Sequence, residues 1–134
     1  MLLRQGGVRA RVSTSDLGIQ GESIARATLE ARGYAVLATR YRSRFGEIDI
    51  VCDDHGVVVF VEVKARRTAR YGHAAEAVSP HKRRRIAAMA LEFLARHRRL
   101  EAPCRFDVVA IDRIGTPEVS VHVIEGAFSV GGGW

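Results

Sequence analysis

Four charged residues stand inside what otherwise reads as apolar strand. Gly46–Cys52 (GEIDIVC) and Val57–Lys64 (VVVFVEVK) flank the polar Asp53–Gly56, and they carry Glu47, Asp49, Glu62 and Lys64. Strand side chains alternate between faces, so Glu62 and Lys64 project from one side, roughly 7 Å apart along the chain. A turn centred between Asp54 and His55 sets Glu47 opposite Glu62 and Asp49 opposite Phe60, with all four charges on one face. Directly opposed carboxylates repel, and nothing in folding favours three clustered acids. A shared divalent cation does, and oxygen ligands of this kind suit magnesium, with manganese as a substitute. Lys64 beside such an ion can hold a substrate phosphate, stabilise developing negative charge or orient the attacking water. That chemistry is metal-assisted hydrolysis of a phosphodiester. The alternative is an ordinary group of ion pairs, Glu62 with Lys64 and Asp49 with an arginine. Surface pairs are worth only about 0–1 kcal/mol and need no placement between long apolar flanks. Glu47 either tunes the site or caps the turn.

The rest of the chain has to position that hairpin. Its 134 residues suit one domain, expected over 14–128, with a flexible basic arm at 1–13 and a flexible tail at 129–134. No apolar run reaches the roughly 18 residues of a membrane span. The start, Met1–Gly7, lacks an apolar signal region, so a cytoplasmic protein is expected. Cys52 and Cys104 are the only cysteines and sit in strand-like runs, which suits buried free thiols rather than a disulfide or zinc site. Lys plus Arg number 21 against 15 Asp plus Glu, a formal charge of +6. An arginine-rich surface favours a polyanion such as nucleic acid, because guanidinium matches phosphate in a two-pronged fork.

Leu17, Ile24, Ala25, Thr28 and Leu29 recur at helical spacing. Ser15 or Asp16 can cap that helix, and Gly33 can end it in the left-handed conformation with Tyr34 folding back on Leu29. Glu22 lies on the edge of the stripe, as a rim residue or as a group aimed at the site. Residues 34–42 read as a strand. Its Arg40 and Arg42, with Arg44 in the following turn, are either a phosphate-facing set or the solvated side of an edge strand. After Lys64 a basic loop holds Arg66, Arg67 and Tyr71; the tyrosine can stack on a base or anchor the loop. Ser79–Pro80 starts a second helix that runs to about Arg98, with Ile86, Met89, Ala90, Phe93 and Leu94 as its apolar stripe. Lys82, Arg83, Arg84 and Arg85 crowd its first turns, where the helix dipole favours anions. A bound phosphate would reconcile them with that dipole; a solvated helix end is the alternative. Cys104–Asp112 and Val119–Ile124 are two more strands. Asp107 interrupts the first, either to pair with Arg105 or to lie near the site. The order α-β-β-β-α-β-β gives an α/β fold, a mixed central sheet with a helix on each face.

Asp49, Glu62 and Lys64 together resemble the PD-(D/E)xK nuclease signature in its D-x12-E-x-K form. Gly21–Glu22, Gly33–Tyr34, the GEID and VFVEVK strands, Tyr71–Gly72, Lys82, Arg105–Val108 and Ala127–Phe128 extend the likeness over residues 16–128. This combination resembles the bacterial YraN (UPF0102) family, distantly similar to archaeal Holliday-junction resolvases. The resemblance implies a restriction-endonuclease-like core and a magnesium-dependent endonuclease acting on DNA, branched or junction DNA included. It assigns Asp49 and Glu62 to the metal, adds Glu22 as the first-helix acid of the set, and gives Lys64 to catalysis. It also implies a homodimer, since a junction is cut on two strands. The rival expectation is a nuclease-like fold that only binds nucleic acid. One departure stands out: the family often has Asn where this chain has Arg40.

Overall fold

The turn at His55–Gly56 sets the frame of the sheet. Both residues have positive φ, 52° and 97°. That is the two-residue hairpin turn whose twist matches the strands it joins. The computed structural model describes residues 14–68 and 78–129. The expected arm at 1–13, Tyr71 and residues 130–134 lie outside them. Around the hairpin the chain runs α1 (Thr14–Ala31), β1 (Ala35–Ser43), β2 (Gly46–Asp54), β3 (Val57–Ala65), α2 (Pro80–Arg96), β4 (Cys104–Asp112) and β5 (Ser120–Phe128). The fold is therefore α/β in the expected order. The five strands lie side by side in sequence order; β3 and β4 are parallel and the other neighbours antiparallel.

Each helix covers one face. Ala25 and Leu29 of α1 pack on Ile50, Cys52, Val59, Val61, Val109 and Ile111. Ile86, Met89, Ala90, Phe93 and Leu94 of α2 pack on Val51, Val58, Phe60, Phe106 and Val108. Phe60 meets Phe93 edge-on at 5.9 Å and stacks on Phe106 at 5.7 Å. Both cysteines are free, and burial pushes the Cys52 thiol up to about 12, which removes its thiolate chemistry at neutral pH. Among the described residues no helix is long and apolar enough to cross a membrane.

The helix ends follow their local signals. Gly33 takes φ 91°, its amide donates to Glu30 O, and the Tyr34 amide donates to Leu29 O at 3.1 Å. This is the two-bond glycine cap, and Tyr34 and Leu29 both enter the core beneath it. Ser79 caps α2 by accepting from the Lys82 amide at 3.1 Å.

Several expectations are corrected. The helix α1 takes in Ser15 and Asp16 instead of being capped by them, and Asp16 stands in the first turn, where an anion suits the dipole. The helix α2 stops at Arg96, with His97 as its C-cap. The polar stretch 53–56 is no four-residue turn: Asp53 and Asp54 belong to β2, opposite Val58 and Val57. Asp53 accepts from the Gly56 amide at 2.8 Å and pairs with Arg99, which explains an acid so near a strand end. The β2–β3 register is thus displaced by two residues from the expected one, with Ile50 opposite Val61. Lastly, β5 continues to Phe128 through a bulge, because Asp107 accepts the Gly126 amide that the ladder leaves unpaired.

Candidate functional site

A glycine brings the first helix down onto the hairpin. A Cβ at Gly21 would lie 2.9 Å from the Cβ of Ala65 at the end of β3. That close approach carries the next residue, Glu22, to the lip of a cavity of about 460 Å³. Leu17, Gly18, Ile19 and Glu22 of α1 line it with Arg40, Arg42, Glu47, Asp49, Val63, Lys64 and Ala65 of the strands. The sequence-level grouping of Glu22, Asp49 and Lys64 is therefore a spatial one.

Asp49 sits where the hairpin ladder ends. The last β2–β3 pair toward the site is Ile50 with Val61, and beyond it the Val63 amide donates to Asp49 Oδ2 at 2.7 Å. The side chain thus replaces the backbone acceptor the ladder would have used. Burial pushes the Asp49 carboxyl up to about 6, and the nearby Glu62 charge adds to the rise, against the pull of the Val63 amide and Lys82. Glu62 is only 8% exposed and lies toward α2, among Ile48, Phe60, Ile86 and Phe128. Lys82 Nζ donates to its Oε2 at 2.5 Å, and Lys64 Nζ stands 3.6 Å from the same oxygen. Lys64 links the two carboxylates: it lines the cavity with Asp49 and reaches back to Glu62.

The expected opposition of Glu47 and Glu62 is not found. With the register moved by two, the ladder ends at Ile50 and Val61, and Glu47 lies beyond it. Glu47 instead pairs across β1 with Arg42 at 3.0 Å. Nor do all four charges share one face, since Glu62 points with Phe60 into the α2 side while Asp49 and Glu47 open into the cavity.

The basic residues divide by partner. Arg40 adopts φ 51°, the left-handed region, within a strand, a conformation that costs of order 1–3 kcal/mol for a residue with a side chain. It aims Nε at Glu22 Oε1, 2.6 Å away. Arg44 lies over the Phe45 ring at 5.0 Å, outside the cavity lining. Arg83 donates to Val78 O and covers Phe128, and Arg85 donates to Phe45 O at 2.9 Å. Arg84 and Arg67 are exposed. The amide of Arg66 donates to Ile111 O, and its Nη1 is buried without a hydrogen-bond partner. Of its two alternatives, Asp107 takes the pairing with Arg105, at 3.0 Å.

Two partners were missed by sequence reasoning: Lys82 for Glu62 and Arg40 for Glu22. Each was read as a phosphate contact, and no local pattern marks a contact over 20 or 18 positions. The apolar part of the cavity lining was also missed, although a glycine inside a helical stripe is a signal. Among the described residues no group of three or more His, Cys, Asp or Glu side chains is placed to hold a metal ion. The acids are instead engaged by Arg40, the Val63 amide and Lys82.

The resemblance to known proteins covers these same elements. The profile of the uncharacterised protein family UPF0102 matches residues 21–111, from Gly21 almost to the end of β4. A UPF0102 protein of Symbiobacterium thermophilum is 45% identical over 112 residues, 84% of this chain and 95% of its own length. One of Geotalea uraniireducens is 41% identical over 120 residues, covering 90% and 94%. One of Ralstonia pickettii is 50% identical over 103 residues, covering 74% and 82%. By the span of that profile, which takes in every acid of the site, the chain belongs to the uncharacterised protein family UPF0102.

Proposed function

We propose that this protein is a divalent-metal-dependent endonuclease that hydrolyses phosphodiester bonds of DNA, branched or junction DNA included. The observation that carries the reading is Asp49 and Lys64 on one cavity with Arg40 and Arg42, and Glu62 on the α2 side within 3.6 Å of the same Lys64 Nζ. The donor chemistry fits a hard cation. Asp49 and Glu62 are carboxylates close enough for one to raise the proton affinity of the other, and a shared cation would relieve that repulsion. Asp49 and Glu62 would hold magnesium or manganese, with Glu22 joining once Arg40 turns from it. The ion would supply a Lewis acid for the phosphoryl oxygen.

The protein's own groups do the rest. Lys64 Nζ, held near Glu62, would contact a non-bridging phosphate oxygen and stabilise the charge that develops there. Arg40 and Arg42 at the rim would orient the flanking phosphates in their planar forks. Arg66, Arg67 and Arg84 would add less specific phosphate contacts and make binding fall with salt. Lys82 would set the position of Glu62. Matched cuts on two strands of a junction would call for a two-fold pair of subunits.

A second reading has an observation of its own. Arg40 and Lys82 already neutralise Glu22 and Glu62, as in a fold that binds nucleic acid without cutting it. Cleavage of duplex, single-stranded, flapped and four-way-junction DNA by wild type and Glu62→Ala, with Mg²⁺ or Mn²⁺, separates the two. The nuclease reading expects metal-dependent cleavage that Glu62→Ala lowers by about 100-fold or more. DNA binding without cleavage of any form, and without heat on titration with Mg²⁺, would establish the idle fold. Cleavage indifferent to Glu62→Ala would move the chemistry elsewhere.

A further inference from the structure

Two glycines lie three residues apart on α1, and packing explains only one. Gly21 is required because a Cβ would press on Ala65. At Gly18 a Cβ would meet nothing within 4 Å. Glycine inside a helix costs about 1 kcal/mol relative to alanine, so folding alone favours a side chain there. Gly18 lines the cavity instead, between Leu17 and Ile19, and Ile19 is 52% exposed at the rim. The cavity lining is therefore mixed. The strands contribute Arg40, Asp49 and Lys64 together with Val63 and Ala65, while α1 contributes Leu17, Ile19, the bare backbone of Gly18 and, one turn on, Glu22. A metal ion held by the carboxylates would use nothing of Leu17, Gly18 or Ile19. Its volume of about 460 Å³ lies within the usual range of small-ligand sites, about 300–1,000 Å³.

We propose that the cavity receives one unstacked nucleotide next to the phosphate being cut, its sugar and base lying against the Leu17–Gly18–Ile19 wall. The proposal rests on the nuclease reading and adds a substrate class to it. A nucleotide has the same mixed character as the cavity, an anionic phosphate for Arg40 and Lys64 and a flat, weakly polar face for Leu17, Gly18 and Ile19. The missing side chain at Gly18 lets that flat face approach the helix backbone closely. A base can enter only after leaving its stack, which is cheapest where it is unpaired. The site thus favours single-stranded or junction-adjacent nucleotides over continuous duplex.

Gly18→Ala and Gly18→Leu test this, using fluorescein-labelled single-stranded and duplex oligonucleotides in EDTA, with thermal unfolding of each variant. Gly18→Leu should lose about tenfold or more in single-strand affinity, the equivalent of about 1.4 kcal/mol, with duplex affinity changed little. Gly18→Ala should unfold at or above the wild-type temperature and show a smaller loss of the same selectivity, so the test survives if the leucine variant folds poorly. Wild-type single-strand affinity in both variants overturns the nucleotide wall. So does a loss that is equal for both DNA forms or that tracks a drop in unfolding temperature. Metal-dependent cleavage by wild type that both variants retain in full overturns the wall while leaving the nuclease reading intact. Wild-type protein that neither binds nor cuts DNA overturns both.

Discussion

Asp49 is a carboxylate held where its charge is unwelcome. Burial and then the Glu62 charge raise it to about 6 from an ordinary 3.8. A folded-state value above the unfolded one means that the native protein binds the proton more tightly. The carboxylate therefore costs nothing at pH below the unfolded value, and its full cost is present once the pH exceeds the folded one. A rise of this size corresponds to roughly 3 kcal/mol. Asp49→Asn keeps an oxygen for the Val63 amide and removes the charge. Without metal, the variant should be more stable than wild type at pH 8, and the difference should shrink as the pH falls toward 4. Urea unfolding across that range measures it; a difference that does not vary with pH would show that the Asp49 charge is already well compensated. The same substitution should abolish the proposed cleavage. A stabilised but inactive variant is the signature of a group placed for chemistry at the expense of the fold.

The element that sets the site is α1, and its two glycines predict opposite outcomes for one substitution. Gly21→Ala presses a methyl group onto Ala65, and both partners are anchored, Ala65 in a strand and Gly21 in the middle of a helix. Overpacking of this kind costs about 1–3 kcal/mol, more than the helix propensity regained. The variant should unfold at a lower temperature than wild type, and Gly18→Ala should not; equal shifts would mean that α1 does not sit as closely as Gly21 implies. At this scale the sequence was most readable where the signal is local. Ser79–Pro80, Gly33 followed by Tyr34, and the alternation of VVVFVEVK each bind neighbours to a known geometry, and each element formed where those signals lie. The hairpin pairing was misread because Asp53 and Asp54 look like turn residues, while their partners Arg99 and Arg105 lie far along the chain. Glu62 nevertheless stays close to Lys64 and near enough to Asp49 to raise its proton affinity, from the α2 side of the sheet. Contacts such as Lys82 with Glu62 have no local trace, because they depend on how α2 docks on the sheet.

At the scale of the whole molecule, a second ionic cluster ties together elements far apart in sequence. Arg105 on β4 binds Asp107 at 3.0 Å, Asp54 before the hairpin turn at 3.0 Å, and the hydroxyl of Tyr34 behind α1 at 2.7 Å. Tyr34 in turn donates to Glu125 on β5, and the Gly126 amide donates to Asp107, which is fully buried. Burial pushes the Asp107 carboxyl above its usual range, and the Arg105 guanidinium and the Gly126 amide oppose the rise. Loss of solvent works against the charge of Arg105, but its bonds and attraction to Asp107, Asp54 and Tyr34 together hold it more firmly protonated. Arg105→Met should therefore leave a buried carboxylate with one amide for company and cost about 3 kcal/mol. The folded-state value of Asp107 would rise further above the unfolded one, so this cost is greatest at neutral pH. The stability gap between wild type and Arg105→Met should narrow as the pH drops toward and below the ordinary carboxylate value of 3.8, where Asp107 becomes protonated in both states of the variant. Adding Asp107→Asn should recover most of the loss at pH 7, since an amide can still accept from Gly126 and carries no charge to strand. Urea unfolding of the two single variants and the double variant tests this. A double variant as unstable as Arg105→Met at every pH would show that Arg105 acts through Tyr34 and Asp54, joining α1 and the hairpin, and not through the buried acid.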